Sequence, residues 1–493
     1  MKKNLILYII IMSIFSLSIW WILEKGKTLV PAKQLSVTTL TTNSAVTATA
    51  LSSEGFWHQL SHNINHPLSL LLLQIIVILF AARFFGMIFA KLGQPSVVGE
   101  IIAGIILGPS VMGLLYPDFL NFLFPSASLK NLHFLSQIGL TFFMFLVGME
   151  LDLHKVKNKA HDAVVISHSS IIVPFFLGVG LSFFIYERFA PANVSFLVFT
   201  LFMGIAMSIT AFPVLARIVK DRGLTKSTLG VMAISCAAAD DVTAWCILAV
   251  VVAIAKAGSF VSSIYTIIPA IAFIFVMLFV IRPWLKKLVD NSTPTENLNK
   301  TLVTVMFLTL LLSSYFAEII GIHSLFGAFM AGTIMPQGSR VRELLTEKIE
   351  DISVIIFLPI VFAVTGLRTQ IGLLNEGNLW LICFIVILVA VLGKFGGSSI
   401  AARLVGQSWK DALSIGALMN TRGLMELVVL NIGYDLGILS PEIFAILVLM
   451  ALTTTFMTGP LLDLIKYFYF QSASATRAMN NIKHNSSATS RSL

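Results

Sequence analysis

Of the 493 residues, 57% are hydrophobic and only 12% are charged, and a mean hydropathy of +0.91 excludes a soluble domain with a polar surface. The formal net charge of +9 comes from Lys and Arg in short clusters between apolar stretches, a pattern that orients membrane helices and gives no support to nucleic-acid binding. Cys236, Cys246 and Cys383 lie in apolar segments without C-x-x-C spacing, so they read as packing residues, with neither a disulfide framework nor a zinc site indicated.

The first apolar run, Leu5 to Leu23, follows Met1-Lys2-Lys3 and is long enough to cross a bilayer. It ends in Trp20-Trp21 without an obvious small-residue cleavage site, so residues 1–24 read as an uncleaved signal-anchor helix. Residues 25–66 include a Ser/Thr/Ala-rich tract that cannot build a core and reads as an exported linker. From 67 to 469, thirteen further apolar segments have the length of spanning helices, with approximate bounds 67–91, 95–115, 131–151, 162–186, 192–219, 225–255, 259–284, 300–319, 322–336, 352–371, 378–404, 409–434 and 441–469.

Loop charges test that count, because short loops rich in Lys and Arg stay on the cytoplasmic side. Lys91, then Lys155 and Lys157, then Arg217 to Lys226, then Arg282 to Lys287, then Arg340 to Lys348, then Arg403 and Lys410 mark every second loop, with Arg368 and Lys130 among the few exceptions. The tail 470–493 is thereby expected in the cytoplasm, and the whole in the cell inner membrane as a multi-pass protein.

Six helices, a linking seventh and six more permit two halves of opposite orientation. The fifth helix of each half carries a break, Ser208-Ile209-Thr210-Ala211-Phe212-Pro213 in one and Asn420-Thr421-Arg422-Gly423 in the other. Pro removes a donor and Gly weakens a helix, so two crossing broken helices near the midplane are expected; two unrelated kinks are the alternative.

Ionisable groups in hydrocarbon cost on the order of 2.5–3.5 kcal/mol each, so those that persist line a pathway or pair. Asp240 and Asp241 stand mid-helix, pointing roughly 100° apart, so one can pair while the other faces a cavity. Lys394, flanked by Gly393, Gly396 and Gly397, is the available cation. A plain bridge that stabilises the bundle is one reading, and a titrating pair beside a site where protons and a hard cation compete is the sharper one. Ser208 and Thr210 offer hydroxyls and the unwound backbone offers carbonyls as ion ligands. Arg422 and Glu426, four apart, suit a local pair. Glu100, Glu150, Glu318 and His323 are further candidates whose blander role is interfacial or hydrogen-bonded.

At these residues the sequence resembles the monovalent cation:proton antiporters, in their second large branch of bacterial sodium/proton and plant cation/proton exchangers. The resemblance rests on Pro95 to Glu100 running to Gly108-Pro109-Ser110, Phe145 to Glu150, Ala239 to Trp245, Ile322 to Phe329 with Ala331-Gly332, and Met419 to Leu427. It implies an all-α membrane protein with the inverted-repeat sodium/proton antiporter fold, a homodimer with a dimerisation domain and a moving core, and elevator-like alternating access. Carried over by position, it makes Asp241 the cation and proton site and pairs Asp240 with Lys394. The Asp-Asp pair resembles the electrogenic exchangers rather than the Asn-Asp type. Relatives acting as regulated potassium efflux systems carry a nucleotide-binding domain that has no counterpart motif here.

The expected function is exchange of H+ for Na+, K+ or Li+, with the lipid bilayer as solvent and no cofactor. A gated K+ efflux pathway or channel on the same scaffold is the alternative, and an organic-anion carrier a third that Asp240 and Asp241 argue against. No Ser/His/Asp constellation, metal spacing or cofactor fingerprint points to an enzyme.

Overall fold

Hydrocarbon offers no partner to an unpaired backbone group, so a lipid-spanning segment must close its hydrogen bonds within itself. The computed structural model describes residues 63–64, 66–150, 160–225, 227–257, 260–290, 300–336 and 340–489, and every regular element among them is a helix. The anchor expected at 1–24 and nearly all of the linker at 25–66 lie outside the described residues.

Among the described residues, eleven helices are long and apolar enough to cross a membrane, and a twelfth span is a pair bent by 41°. Hydropathy along the sequence predicts thirteen. The difference is segment 322–336, which holds only the ten-residue helix Ser324–Thr333; at 1.5 Å per residue it reaches about 15 Å, half the hydrocarbon thickness. Gly321 (φ 97°) and His323 (φ 78°) stop helix from growing backwards, conformations that a side chain tolerates poorly. At the far end, the segment expected as a tail continues the last helix to Thr489.

In chain order the helices that matter are α1 (Pro67–Lys91), α2 (Ser96–Leu107), α3 (Ser126–Glu150), α4 (Ala160–Phe189), α5 (Phe196–Ser208), α6 (Phe212–Asp221), α7 (Thr228–Ala257), α8 (Phe260–Val276), α9 (Lys300–Ile320), α10 (Ser324–Thr333), α11 (Leu358–Arg368), α12 (Leu379–Val391), α13 (Trp409–Met419), α14 (Leu424–Asp435) and α15 (Pro441–Thr489). They sort into two groups by packing. One holds α4 to α7 with α12 to α15; the other holds α1 to α3 with α9 to α11; α8 links them, and the groups touch each other sparingly.

Within the first group, α4 and the helix that carries Lys394 approach closely because two glycines four apart face it. A Cβ at Gly393 would meet Pro174 Cα at 2.9 Å and one at Gly397 would meet Val173 Cβ at 3.0 Å, whereas Gly396 faces open space. Small residues at this spacing let membrane helices touch backbone to backbone. Gly393 itself lies in a π-helical turn, Leu392–Gly396, which re-aims Lys394 out of the regular helical register.

Gly397→Val is therefore expected to push the helix Gly397–Leu404, which it begins, away from α4 and cost about 1–3 kcal/mol of overpacking, whereas Gly396→Ala should be neutral. Thermal unfolding of the purified variants in detergent separates the two.

Candidate functional site: a buried charge network at two broken helices

The first break exposes a helix end. α5 stops at Ser208, Ile209 to Ala211 are non-helical, and α6 restarts at Phe212 with Pro213 in its first turn, where the missing N–H costs nothing. The last carbonyls of α5 have no intrahelical partner and carry the negative end of the helix dipole. Two cations supply both needs. Arg422 donates from Nη1 to Ala206 O at 2.8 Å and from Nη2 to Met207 O at 2.5 Å, and Lys394 Nζ donates to Ser208 O.

The second break meets the first. α13 ends at Met419 and α14 begins at Leu424, and between them Thr421 O accepts from Ala211 N–H at 3.1 Å, joining the two interruptions directly. Gly423 is held at φ 159°, ψ −134°, and a Cβ there would meet Val214 Cγ2 at 2.9 Å, so no other residue fits the crossing. Arg422 Nη1 also donates to Glu426 Oε2 at 2.9 Å, with both side chains fully buried. Glu426 sits in the first turn of α14, where the helix dipole favours an anion. From α15, Thr455 Oγ1 accepts from Arg422 N–H at 3.2 Å, and Thr458 Oγ1 lies 3.2 Å from Thr421 Oγ1.

Asp240 is the anion for Lys394. Its Oδ2 accepts from Lys394 Nζ at 2.9 Å, Thr210 Oγ1 at 2.7 Å and Ser170 Oγ at 3.1 Å, and its Oδ1 from Ser167 Oγ at 2.7 Å. Four donors match the acceptor capacity of a carboxylate, and the three N–H bonds of the ammonium are used in turn by Asp240, Ser208 O and Ser170 O. Both residues are 0% exposed, and such a pair persists in a low dielectric only when its remaining hydrogen bonds are made.

Asp241, one position on, turns to a different face of α7. It is 1% exposed and lines a tight crevice with Ile209 of the first break, Met425 and Val429 of α14, and Ala244, Trp245 and Leu248 of its own helix.

The structure therefore brings Asp240, Asp241, Thr210, Lys394, Arg422, Gly423 and Glu426 into one crossing region. Ser208 departs from expectation: its hydroxyl bonds back to Gly204 O at 2.7 Å, with Ile171 O at 3.1 Å, so its carbonyl rather than its hydroxyl faces the network. Asn420 is buried, and neither atom of its side-chain amide has a hydrogen-bond partner among the described residues. Glu318 lies elsewhere, pairing with Lys256 at 3.5 Å and accepting from Ser324 N–H at 2.8 Å, while His323 caps α10. Glu100 is buried on α2, in the other helix group, and Glu150 closes α3.

Sequence reasoning missed Ser167 and Ser170 on α4 and Thr455 and Thr458 on α15. The available signal was a hydroxyl pair three residues apart inside an apolar helix, which places both on one face; Ser and Thr bond to their own helix so often that the spacing alone is faint.

Comparison with known proteins follows the same stretch of chain. The profile of the family described as sodium/hydrogen exchanger, transmembrane, matches residues 75–465. The Na(+)/H(+) antiporter NhaS4 of Synechocystis sp. is 43% identical over 398 residues, covering 80% of this chain and 97% of that one. The K(+)/H(+) antiporter 1 of Saccharomyces cerevisiae is 35% identical over 416 residues, covering 82% of this chain and 47% of that one, so the chain spans about half the length of this yeast relative. The sodium proton antiporter MjNhaP1 from Methanocaldococcus jannaschii superposes with a TM-score of 0.60 at 15% identity, covering 82% of this chain and 97% of that one, a likeness of fold.

A double-mutant cycle tests the coupling at Asp240. Lys394→Met leaves a buried carboxylate without its cation and is expected to cost about 3–5 kcal/mol; adding Asp240→Asn should recover a large part of it. Unfolding of the purified variants in detergent reads the coupling, and simple additivity would show that the pair does not act as a unit.

Proposed function

The chain belongs to the sodium/hydrogen exchanger family, and from that premise we propose that it exchanges protons for a monovalent cation, Na+ or K+, across the cell inner membrane. The observation that carries this reading is Asp241, a buried carboxylate at the crossing of two broken helices. A hard cation takes oxygen ligands; the Asp241 carboxylate supplies them, and Ile209 of the first break lines the same crevice.

Coupling follows from electrostatics. A bare carboxylate in the hydrocarbon costs roughly 3 kcal/mol, about a hundredfold in population, so Asp241 crosses carrying either a proton or a metal ion. One carboxylate cannot hold both, and differential occupancy on the two sides drives exchange. Asp240 accepts from Lys394, Thr210, Ser167 and Ser170, and the family resemblance at Ala239 to Trp245 assigns the traded ions to Asp241. One relative is named for Na(+)/H(+) exchange at 43% identity and another for K(+)/H(+) exchange at 35%, so both cations belong to the proposal. Alternating access is assigned to the first helix group sliding against the second in an elevator-like motion, a reading supported by the sparse packing between them, and the working unit to a homodimer.

Asp241→Asn is expected to abolish cation-dependent dequenching of a pH-sensitive dye in everted vesicles while the protein still purifies as a folded species. Retained exchange in that variant would refute the assignment. Cation flux in the wild type without any opposing proton movement would favour a channel instead.

A further inference from the structure

Arg368 breaks the alternation of loop charges, standing at the end of the bundle opposite the basic loops. Its surroundings explain why a cation is kept there. Arg368, the last residue of α11, donates from Nη2 to Asp435 Oδ1 at 2.8 Å and to His133 Nδ1 at 3.2 Å, and from Nη1 to Asn431 Oδ1 at 2.9 Å. His133 Nε2 lies 3.8 Å from the other Asp435 oxygen, and the Asn431 amide donates to Thr365 Oγ1 at 2.8 Å. His133 and Arg368 belong to α3 and α11 of one helix group, and Asn431 and Asp435 to α14 of the other.

A second contact crosses the same boundary at the same end. Lys256, near the end of α7, pairs at 3.5 Å with Glu318, near the end of α9. At the opposite end the pattern reverses. There Arg222 bonds to Asp463, but both lie in the first group, and between the groups is a cleft of about 400 Å³ lined by Gly93, Gln94, Ser96, Arg217, Arg222 and Gly459. The two bridging ion pairs Arg368–Asp435 and Lys256–Glu318 thus both lie at the end that the charge pattern places outside.

We propose that the Arg368–Asp435 cluster, seconded by Lys256–Glu318, is an outer latch that holds the two helix groups closed toward the exterior and must break for the outward-open state to form. α11 and α14 share few close backbone contacts, so these side chains carry the attachment there. The pairs are one-fifth to one-half exposed, which suits a contact that is remade every cycle: a fully buried pair would cost too much to open, and a fully exposed one would contribute little. The latch rests on the exchange reading for its place in a cycle, but its presence is a property of the two helix groups alone.

The test uses Leu427→Cys, one turn inside Asn431 on the same face of α14 and buried at 0% exposure with an apolar side chain that makes none of the cluster's hydrogen bonds, in the full chain with Cys236, Cys246 and Cys383 replaced by alanine, reconstituted in nanodiscs. With the latch intact, the introduced thiol should react slowly with a charged maleimide. Arg368→Glu or Asp435→Arg should each raise the labelling rate about tenfold, the size of effect that loss of a charge-assisted hydrogen bond produces, and the exchange Arg368→Asp with Asp435→Arg should return it toward the starting rate. In proteoliposomes, cation/proton exchange should fall about tenfold in the single variants and recover in the swap, because a cycle that needs both states slows when one loses its stabilising contacts. Fast labelling with the latch intact, unchanged labelling in the single variants, no recovery in the swap, or altered labelling with unaltered exchange would each overturn the proposal. If the wild type exchanges no cation at all, the antiport reading fails, and the labelling rates alone decide the latch.

Discussion

A helix that stops inside a bilayer leaves carbonyls that nothing but the protein can satisfy. At the end of α5 that need is met by two cations, Arg422 on Ala206 O and Met207 O and Lys394 on Ser208 O. Each cation in turn requires an anion, Glu426 and Asp240, and Asp240 requires donors, supplied by Ser167, Ser170 and Thr210. The chain of requirements closes with two positive and two negative charges. Asp241, the next residue on α7, turns instead to the crevice lined by Ile209, Met425 and Val429.

The packing around the network follows from the same constraint. Lys394 reaches Ser170 O, Ser208 O and Asp240 together only because Gly393 and Gly397 bring its helix against α4 at Val173 and Pro174, and because a π turn rotates it toward the break. The joined interruptions, tied by Ala211 N–H to Thr421 O, make α4 to α7 and α12 to α15 one cross-braced body. The remaining helices pack mainly among themselves, with fewer close helix contacts between the groups than within them.

Much of this was legible beforehand, for identifiable reasons. Apolar length announces a spanning helix because lipid demands it, and segments such as 67–91 and 441–469 begin where expected. Pro213 and Gly423 announced the breaks because each acts through its own backbone. Segment 322–336 misled because apolar composition reports solvent and not length: Gly321 and His323 cut it to ten helical residues. Ser208 misled because a hydroxyl has two places to bond, and its own helix won.

By itself the sequence determined the solvent of the chain, the order of its helices, where two of them break, and which charges had to find partners, since hydropathy, backbone chemistry and the cost of a buried ion are local properties of residues. Only the tertiary structure decided which partner each charge took. Asp240 and Lys394 are 154 positions apart, and Ser167, Ser170 and the outer Arg368–Asp435 contact are set by how helices distant in sequence lie side by side, a matter of packing geometry that no local pattern encodes.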